Sequence, residues 1–408
     1  MEILLVLTRY LPEKNAGIEN YCHHLSKLLN QSGQRVNVAI LESTKMTRYT
    51  YEEISIIPLE KGLSSFSTLV QENTYDICHF QEYSGEKGIH IGWFKIAKLY
   101  CKKVFFTFHL PYLTCYKNDF RHYGIEDCST FTSVERCLKC IVATKLNYQN
   151  PSSYNAQHSI IQGLTPLLLK TGILNNLKHR IQKRQDDLGE LLSICNKVFL
   201  IANWFKELLI YNGYTSSSLV CIPAITKRNF YSRTNISIKK KILFIGRIEY
   251  QKGLLLLCKA MKMLSINDLE LDVFGDKVDK VYFTTCLNQY QFNYGGTLPH
   301  PELLKLLPDY DFLILPSLFT EMYPLVIQEA FGAELPVIAS AAKGNIDVIS
   351  EGKNGFVFDY DDDKELARVI DKAYSLKQNG WQPEFETMDF SENNANEILS
   401  YYQIDSKL

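Results

Sequence analysis

Two glutamates in the second half of the chain have a spacing that lets them hold one ligand at two points. Glu321 and Glu329 lie in LPSLFTEMYPLVIQEAFGAELPVIAS (315–340), where a strand ends and Pro324 suits the first turn of a helix. Their separation of eight residues is at most ~12 Å in a helix, and carboxylates that only accept hydrogen bonds suit sugar hydroxyls. For an isolated pair, the plainer interpretation is that Glu321 interacts with the helix dipole and Glu329 lies on a solvated face.

Two cations precede these glutamates in FIGRIEYQKG (244–253). Arg247 follows Gly246 at the end of an expected strand, and Lys252 and Gly253 open the next helix. Fixed cations at such a position can bind a diphosphate. They would then stabilise the negative charge on a departing nucleoside diphosphate, as a magnesium ion does elsewhere. Two unrelated surface cations near a turn are the alternative.

Short β-rich runs alternate with helical patterns along both halves of the chain, and this alternation predicts parallel sheets covered by helices. Ligands in such sheets bind at the strand-end edge. The predicted fold class is therefore α/β, with two doubly wound domains. Strands are expected at 2–7, 36–40, 75–80, 104–109, 197–202 and 219–223, and again at 241–246, 269–275, 311–317, 335–340 and 355–360.

The length of 408 residues exceeds one ordinary core and fits two domains of roughly 150–200 residues each. We expect an N-terminal domain over 1–225, with a cysteine-containing insertion at about 110–145. The polar, basic segment 226–240 is the expected linker, and 241–385 the C-terminal domain. A final helix within 386–408 is expected to cross back to the N-terminal domain.

The composition excludes several functional classes. With 46% hydrophobic residues, 22% charged residues and a net charge of -1, disorder and a globally basic nucleic-acid binder are both disfavoured. Glu2 stands where a signal peptide has basic residues, and the first apolar run stops at Thr8. No apolar stretch is long enough to span a bilayer, so we expect a cytoplasmic protein whose membrane contact, if any, is peripheral.

The motifs occur in an order that resembles glycosyltransferase family 4, of the "glycosyl transferases group 1" type. The matching parts are P-x3-A-G-I-E (12–19), His109 after a mid-domain strand, G-R-x4-K-G (246–253), and E-x7-E followed by P-V-I-A-S (321–340). The resemblance covers nearly the whole chain. It implies the GT-B architecture, in which two Rossmann-like domains face each other across a cleft, and a retaining transfer of sugar from a UDP- or GDP-sugar to a glycan or lipid-linked acceptor. It implies no metal for catalysis.

The same resemblance assigns roles to residues of this chain. Arg247 and Lys252 would hold the donor diphosphate, Glu321 the donor sugar, and Glu329 the ribose. His109 would lie beside the donor sugar and take part in catalysis with Glu321, Arg247 and Lys252. The remaining donor-binding positions are glycines that allow close backbone approach and residues around a helix start: Gly17, Gly246, Met322, Tyr323, Leu325 and Val326.

Three departures from the family pattern keep other functions open. Ala16, Glu334 and Lys343 stand where glycines are usual, which makes a non-catalytic sugar-binding or assembly subunit conceivable. A nucleotide-sugar epimerase or a sugar phosphorylase would use the same two-domain cleft. A dehydrogenase is disfavoured, because no G-x-G-x-x-G follows the first strand of either domain. The resemblance to this family suggests a role in bacterial surface polysaccharide or lipopolysaccharide synthesis.

Four of the eleven cysteines cluster as C-x12-C-x8-C-x2-C, at Cys115, Cys128, Cys137 and Cys140. An odd number of cysteines without a secretion signal argues against a disulfide framework. A structural zinc site and unliganded thiols are equally open interpretations.

A basic segment between 145 and 184 interleaves cations with Leu and Ile. It could touch an anionic membrane or a lipid diphosphate, although a solvated helix face is the plainer interpretation. The cations are Lys170, Lys178, Arg180, Lys183 and Arg184.

Overall fold

The computed structural model describes residues 1–122, 124, 126–128, 132–147, 172, 174–224, 238, 240–385 and 390–403. The chain forms two compact units, Met1–Ile225 together with Glu392–Leu408, and Thr226–Ser391. Each unit contains a mainly parallel sheet and helices, so the predicted α/β class is confirmed. Of the expected linker at 226–240, only residues 238 and 240 are among those described.

The sheet of the first unit is centred on the N-terminal strand. The strands of this unit are β1 (Glu2–Leu7), β2 (Arg35–Ile40), β3 (Tyr49–Tyr51), β4 (Ile54–Pro58), β5 (Ile77–Phe80), β6 (Lys103–Phe108), β7 (Arg121–His122), β8 (Glu126–Asp127), β9 (Lys197–Leu200) and β10 (Leu219–Cys221). The order in the main sheet is β10-β9-β6-β5-β1-β2-β4-β3, and β7 pairs with β8 in a separate hairpin. β1 pairs in parallel with β2 and β5, and its apolar run is continuous because such strands are covered on both faces.

The helices of this unit pack apolar faces on that sheet. In α1 (Gly17–Gln31), Tyr21, Leu25 and Leu29 recur every four residues and are buried, which is the period of one helix face. Gly213, at φ +86°, follows the end of the helix Asn203–Tyr211, where a left-handed glycine is common. The remaining helices are α2 (Leu63–Glu72), α3 (Ile91–Tyr100), α4 (Val134–Asn147), α5 (Asn175–Ile194) and α6 (Asn203–Tyr211).

The second unit has a fully parallel sheet among its described residues. Its strands are β11 (Lys241–Ile245), β12 (Glu270–Phe274), β13 (Asn293–Gly296), β14 (Phe312–Leu315), β15 (Val337–Ser340) and β16 (Gly355–Phe358), in the order β13-β12-β11-β14-β15-β16. Its helices are α7 (Leu254–Met261), α8 (Lys280–Gln289), α9 (His300–Leu306), α10 (Leu325–Gly332), α11 (Lys343–Ile346) and α12 (Asp363–Gln378). Separate buried apolar clusters include residues of the sheet and of its helices.

The order of strands places a candidate binding edge in each sheet. In the first sheet the order reverses between β1 and β5, and in the second between β11 and β14. At such a reversal the loops leaving adjacent strands diverge and open a crevice at the carboxyl edge. Gly246 and Arg247 leave β11, and Ser317 to Glu321 leave β14, so the motif residues of the second half meet at this edge.

The last helix, α13 (Phe390–Gln403), belongs to the first unit from Glu392 onward. The hydroxyl of Tyr402 is hydrogen-bonded to Nδ1 of His79, whose Nε2 is 2.7 Å from Thr107 Oγ1. Lys103 donates to the Tyr402 carbonyl, and Asn394 donates to the Pro223 carbonyl. His79 is fully buried and its pKa is lowered by burial to about 3, so its uncharged ring depends on these partners.

Replacing Tyr402 by Phe tests this anchor. The variant leaves a buried nitrogen of His79 without its partner, which costs about 1–3 kcal/mol. We expect urea unfolding of the first unit to occur at lower denaturant concentration. Tyr401→Phe is the matched control, because the Tyr401 ring lies near Phe199 and its hydroxyl takes no part in the hydrogen bonds of His79. Equal destabilisation by both variants would contradict this assignment.

Candidate functional site

The loops that leave β11 and β14 are held together by a backbone contact. Gly253, the residue before α7, has φ +74°. A Cβ at Gly253 would lie 1.8 Å from the carbonyl oxygen of Pro316, so only glycine fits there. This contact fixes Lys252, in a short 3-10 turn (Tyr250–Lys252), next to the loop that follows β14.

Lys252 and Glu321 form an ion pair at this edge. Lys252 Nζ lies 2.9 Å from Glu321 Oε1, which also accepts a hydrogen bond of 2.7 Å from the Ser317 hydroxyl. The two side chains are only 18% and 11% exposed, and the ammonium lies 4.7 Å from the centre of the Phe319 ring. The sequence-predicted cation and carboxylate are therefore brought together, in a setting where a charge without a partner would be costly.

Backbone packing also fixes the loop that carries Glu321. Gly344 lies in α11, and a Cβ there would be 2.3 Å from the Glu321 carbonyl oxygen and 2.9 Å from that of Met322. The predicted donor-binding residues Met322 and Tyr323 lie in this loop, and Leu325 and Val326 form the first turn of α10. Helix starts of this kind favour anions.

Arg247 takes a different position from Lys252. Its guanidinium is 2.8 Å from Glu249 Oε1 and its side chain is 62% exposed. Arg247 is thus on the same connection as Lys252 but is paired within its own loop. The structure groups Lys252 with Glu321, and it leaves Arg247 outside that pair.

Glu329, on α10, is paired with a histidine that the sequence reasoning missed. His300 Nε2 lies 2.8 Å from Glu329 Oε1, and the side chains are 32% and 17% exposed. The hydrogen bond to this carboxylate raises the pKa of His300 above its usual value. His300 is the first residue of α9 and precedes Pro301 in HPELLKL, and nothing in this local sequence marks it as the partner of Glu329.

At the edge of the first sheet, burial shifts the pKa values of two side chains toward their uncharged forms. His109 follows β6, its Nε2 is 3.2 Å from Gln81 Oε1, and its ring meets the Tyr21 ring edge-on. Burial lowers the pKa of His109 to about 3. Burial and the nearby carboxylate of Glu19 raise the pKa of Glu82, another group that the sequence reasoning missed, to about 7.

Gly17, the predicted glycine of the first unit, begins α1. The preceding Ala16 has φ −144° and ψ −177°, an extended conformation open to any residue. The alanine therefore fits the loop without strain.

Comparison with known proteins identifies the second unit. Residues 227–393 match the family described as "Glycosyl transferases group 1". This segment is a group 1 glycosyl transferase domain. It contains Arg247, Lys252, Glu321 and Glu329.

Among curated relatives, an uncharacterized glycosyltransferase of Methanocaldococcus jannaschii is 27% identical over 49% of this chain and 54% of its own length. The 2-deoxystreptamine N-acetyl-D-glucosaminyltransferase of Niallia circulans is 27% identical over 48% of this chain and 49% of its own. The chain thus spans about half the length of the curated relatives it matches.

The fold extends over both units. Anabaena HepE, solved in complex with UDP and glucose, superimposes with a TM-score of 0.63 over 98% of this chain and 95% of that chain, at 14% identity. This likeness shows the GT-B fold, as predicted.

Just after the end of α10, Glu334 has a left-handed backbone conformation. Glu334 has φ +54°, its N–H donates to the Phe331 carbonyl, and the N–H of Leu335 donates to the Ala330 carbonyl. These bonds form a Schellman motif, which favours glycine at the position of Glu334. The departure noted in the sequence therefore has a local conformational cost.

The four clustered cysteines border one cavity. It is lined by Cys115, Cys128, Cys137 and Cys140 together with Lys117, Arg121, His122 and Arg136. Burial and the neighbouring thiols raise the pKa of Cys128 to about 11 and that of Cys137 to about 12. None of the eleven cysteines, all within the described ranges, forms a disulfide. Across the residues that the structure describes, no three His, Cys, Asp or Glu side chains are grouped closely enough to hold a metal ion.

The basic segment is only partly a solvated surface. Arg184 lies over the rings of Tyr112 and Tyr116 and donates to the Tyr112 carbonyl, and Lys183 pairs with Asp187. Lys178 and Arg180 are exposed, while Lys170 lies outside the described residues. No helix in the described part of the chain has the length and apolar character needed to cross a bilayer.

Replacing Glu334 by Gly tests the strained helix end. A left-handed residue other than glycine costs roughly 1–2 kcal/mol, and glycine also makes the unfolded chain more flexible. We expect a net gain of about 1 kcal/mol in the free energy of unfolding. Glu334→Ala keeps a Cβ at the same backbone angle, so it should give no such gain; a similar gain with alanine would refute the conformational explanation.

The His300–Glu329 pair predicts a pH dependence. Because the pKa of His300 is raised in the folded state, the pair contributes fully below the ordinary histidine pKa of about 6.5. The contribution is lost as the pH rises through the folded-state value. We expect the urea midpoint of the second unit to fall over this range, and His300→Gln to remove this fall. His179→Gln, an exposed histidine of α5, should leave it unchanged; an unaltered pH profile in His300→Gln would count against the pair.

Proposed function

We propose that this chain is a glycosyltransferase that moves a sugar from a nucleoside-diphosphate sugar to an acceptor hydroxyl with retention of configuration. The observation that carries the proposal is the Lys252–Glu321 pair. It lies at the strand-order reversal of a sheet within a group 1 glycosyl transferase domain. A cation and a carboxylate held side by side suit a ligand that joins a diphosphate to a sugar.

Lys252 can serve both partners at once. An ammonium group has three donors, so it can keep its bond to Glu321 while donating to a phosphate oxygen. Glu321 Oε1 is held by Lys252 and Ser317, which orients the carboxylate to accept from sugar hydroxyls. This arrangement binds the sugar and its leaving group in a fixed relation, which is the geometric requirement for transfer.

The diphosphate leaves with negative charge, and cations must stabilise it. Lys252 provides one charge, and the exposed guanidinium of Arg247 provides a second by turning from Glu249 to the phosphates. Guanidinium groups bind phosphate through two parallel hydrogen bonds. Because these side chains neutralise the leaving group, catalysis proceeds without a metal ion.

Glu329 and the first unit complete the donor and acceptor sides. Glu329 accepts hydrogen bonds from the ribose hydroxyls, while the backbone around Met322, Tyr323, Leu325 and Val326 meets phosphate or sugar oxygens. Gly17 and His109 act from the first unit, which binds the acceptor. No side chain is assigned as a covalent nucleophile. The acceptor hydroxyl therefore attacks the sugar on the face from which the diphosphate leaves. The leaving phosphate takes the proton of that hydroxyl.

The donor is a UDP- or GDP-sugar, and the acceptor is a glycan or lipid-linked sugar. The UDP and glucose held by Anabaena HepE and the sugar transfer named for the Niallia circulans relative support this donor class. We place the reaction in the cytoplasm, in bacterial surface polysaccharide or lipopolysaccharide synthesis. Membrane contact would be peripheral, at the inner face of the plasma membrane.

Thermal stabilisation by UDP, GDP, ADP, CDP and NAD in the presence of EDTA tests the donor class. A site filled at 100 times its dissociation constant gains ~2.7 kcal/mol, so we expect UDP or GDP to raise the midpoint without metal. A shift by NAD alone, or by no nucleotide, would remove the main support for the proposal.

Lys252→Ala and Glu321→Ala test the assigned roles. Each should lower turnover of the donor identified by that screen by roughly 10²–10³-fold, the effect of losing one electrostatic stabiliser. Lys259→Ala, an exposed lysine of α7, is the matched control and should retain activity. Full turnover in both site variants would overturn the site, and donor turnover without acceptor would indicate an epimerase.

A further inference from the structure

The four clustered cysteines come from three separate pieces of chain in the first unit. Cys115 lies in the loop after β6, Cys128 follows β8, and Cys137 and Cys140 lie on α4. A spacing of three residues puts the last two on one helix face. All four border the same cavity, so three segments of chain bring their cysteines to one place.

Among the described residues, the apolar cluster in this part of the first unit is small. The hairpin of β7 and β8 has two residues in each strand. The local apolar cluster has Leu138, Ile141 and Ile181 as its buried members. Small modules with so little buried apolar surface usually need a disulfide or a metal ion to hold one conformation. The cysteines here form no disulfide.

We propose that Cys115, Cys128, Cys137 and Cys140 bind one zinc ion that stabilises this part of the first unit. Four thiolates are the preferred tetrahedral ligand set of structural zinc, whereas Mg²⁺ and Ca²⁺ prefer oxygen ligands. The site is independent of the Lys252–Glu321 pair, which lies in the other unit.

The charges around the cavity fit this assignment. Zinc with four thiolates carries two net negative charges, because each thiol releases its proton on binding. Lys117, Arg121 and Arg136 line the same cavity. Two of them are paired with carboxylates, Lys117 with Asp119 and Arg121 with Asp127. Arg136 donates to Nε2 of His122, and a cavity lined by three cationic side chains suits a site with net negative charge.

Metal binding and local ordering are coupled at this site. Since no three candidate ligands in the described residues are already at coordinating distance, the thiols must close in on the cavity as zinc binds. The binding free energy then contributes directly to the stability of the segment. Cys115 lies six residues after His109, so the ion would also anchor the chain that leaves the edge of the first sheet.

The zinc content of the purified full chain, prepared without a histidine tag under reducing conditions, tests the proposal. We expect about one zinc per chain, reduced to the background level in the double variant Cys137→Ser/Cys140→Ser. Cys195→Ser, a buried cysteine of the first unit outside the cluster, is the matched control and should keep the metal. Replacing zinc with Co²⁺ should give the absorption bands of a tetrahedral thiolate site.

A second measurement covers the case in which the double variant does not fold. Chelation of the wild-type chain should lower its unfolding temperature, and added Zn²⁺, but not Mg²⁺, should restore it. Wild-type protein that neither contains zinc nor takes it up would overturn the proposal. So would zinc retained by the folded double variant, and loss of zinc from His122→Ala would exclude a purely cysteine ligand set.

Discussion

The arrangement of the second unit depends on two places where backbone meets backbone with no room for a side chain. At Gly253 the turn before α7 reaches the Pro316 carbonyl, and at Gly344 α11 reaches the carbonyls of Glu321 and Met322. The loop after β14 is thus packed between the turn that precedes α7 and the start of α11. The ion pair of Lys252 and Glu321 results from this, because both residues adjoin the contacts. Its short distance is thus set by the main chain, and flexible side chains alone would not fix it.

The two sheet edges differ in charge, although the strand order reverses in both. At the edge of the second sheet, Lys252, Arg247, Glu321 and Glu329 each have an ionic partner. At the edge of the first sheet, burial keeps His109 neutral and raises the pKa of Glu82. A diphosphate needs cations, which the second edge supplies. An acceptor hydroxyl needs none, which agrees with assigning the acceptor to the first unit.

Sequence predicted most of the central strands and the residues that lie in motifs, but it missed β4, the short, largely buried strand ISIIP. Strands such as β1 and β11 are continuous apolar runs. Gly253 is part of the G-R-x4-K-G motif, and the structure shows that a side chain there would clash with the Pro316 carbonyl. β13 was missed because Asn293 to Gly296 has no apolar run, and β3 because it is a short antiparallel edge strand. His300 and Glu82 were missed for another reason. Their properties come from Glu329 and Glu19, which are distant in sequence, and no local pattern records such a pair.

The three departures from the family pattern have unequal physical weight. Ala16 adopts an extended conformation that alanine tolerates. Lys343 stands beside Gly344, and it is Gly344 that makes the close contact with the Glu321 loop. Only Glu334, at φ +54°, has a conformational cost, and it lies at the far end of α10 from Glu321. The Lys252–Glu321 pair is formed with all three residues in place. The substitutions that suggested a non-catalytic subunit therefore leave the chemistry of the site intact, which favours an active transferase.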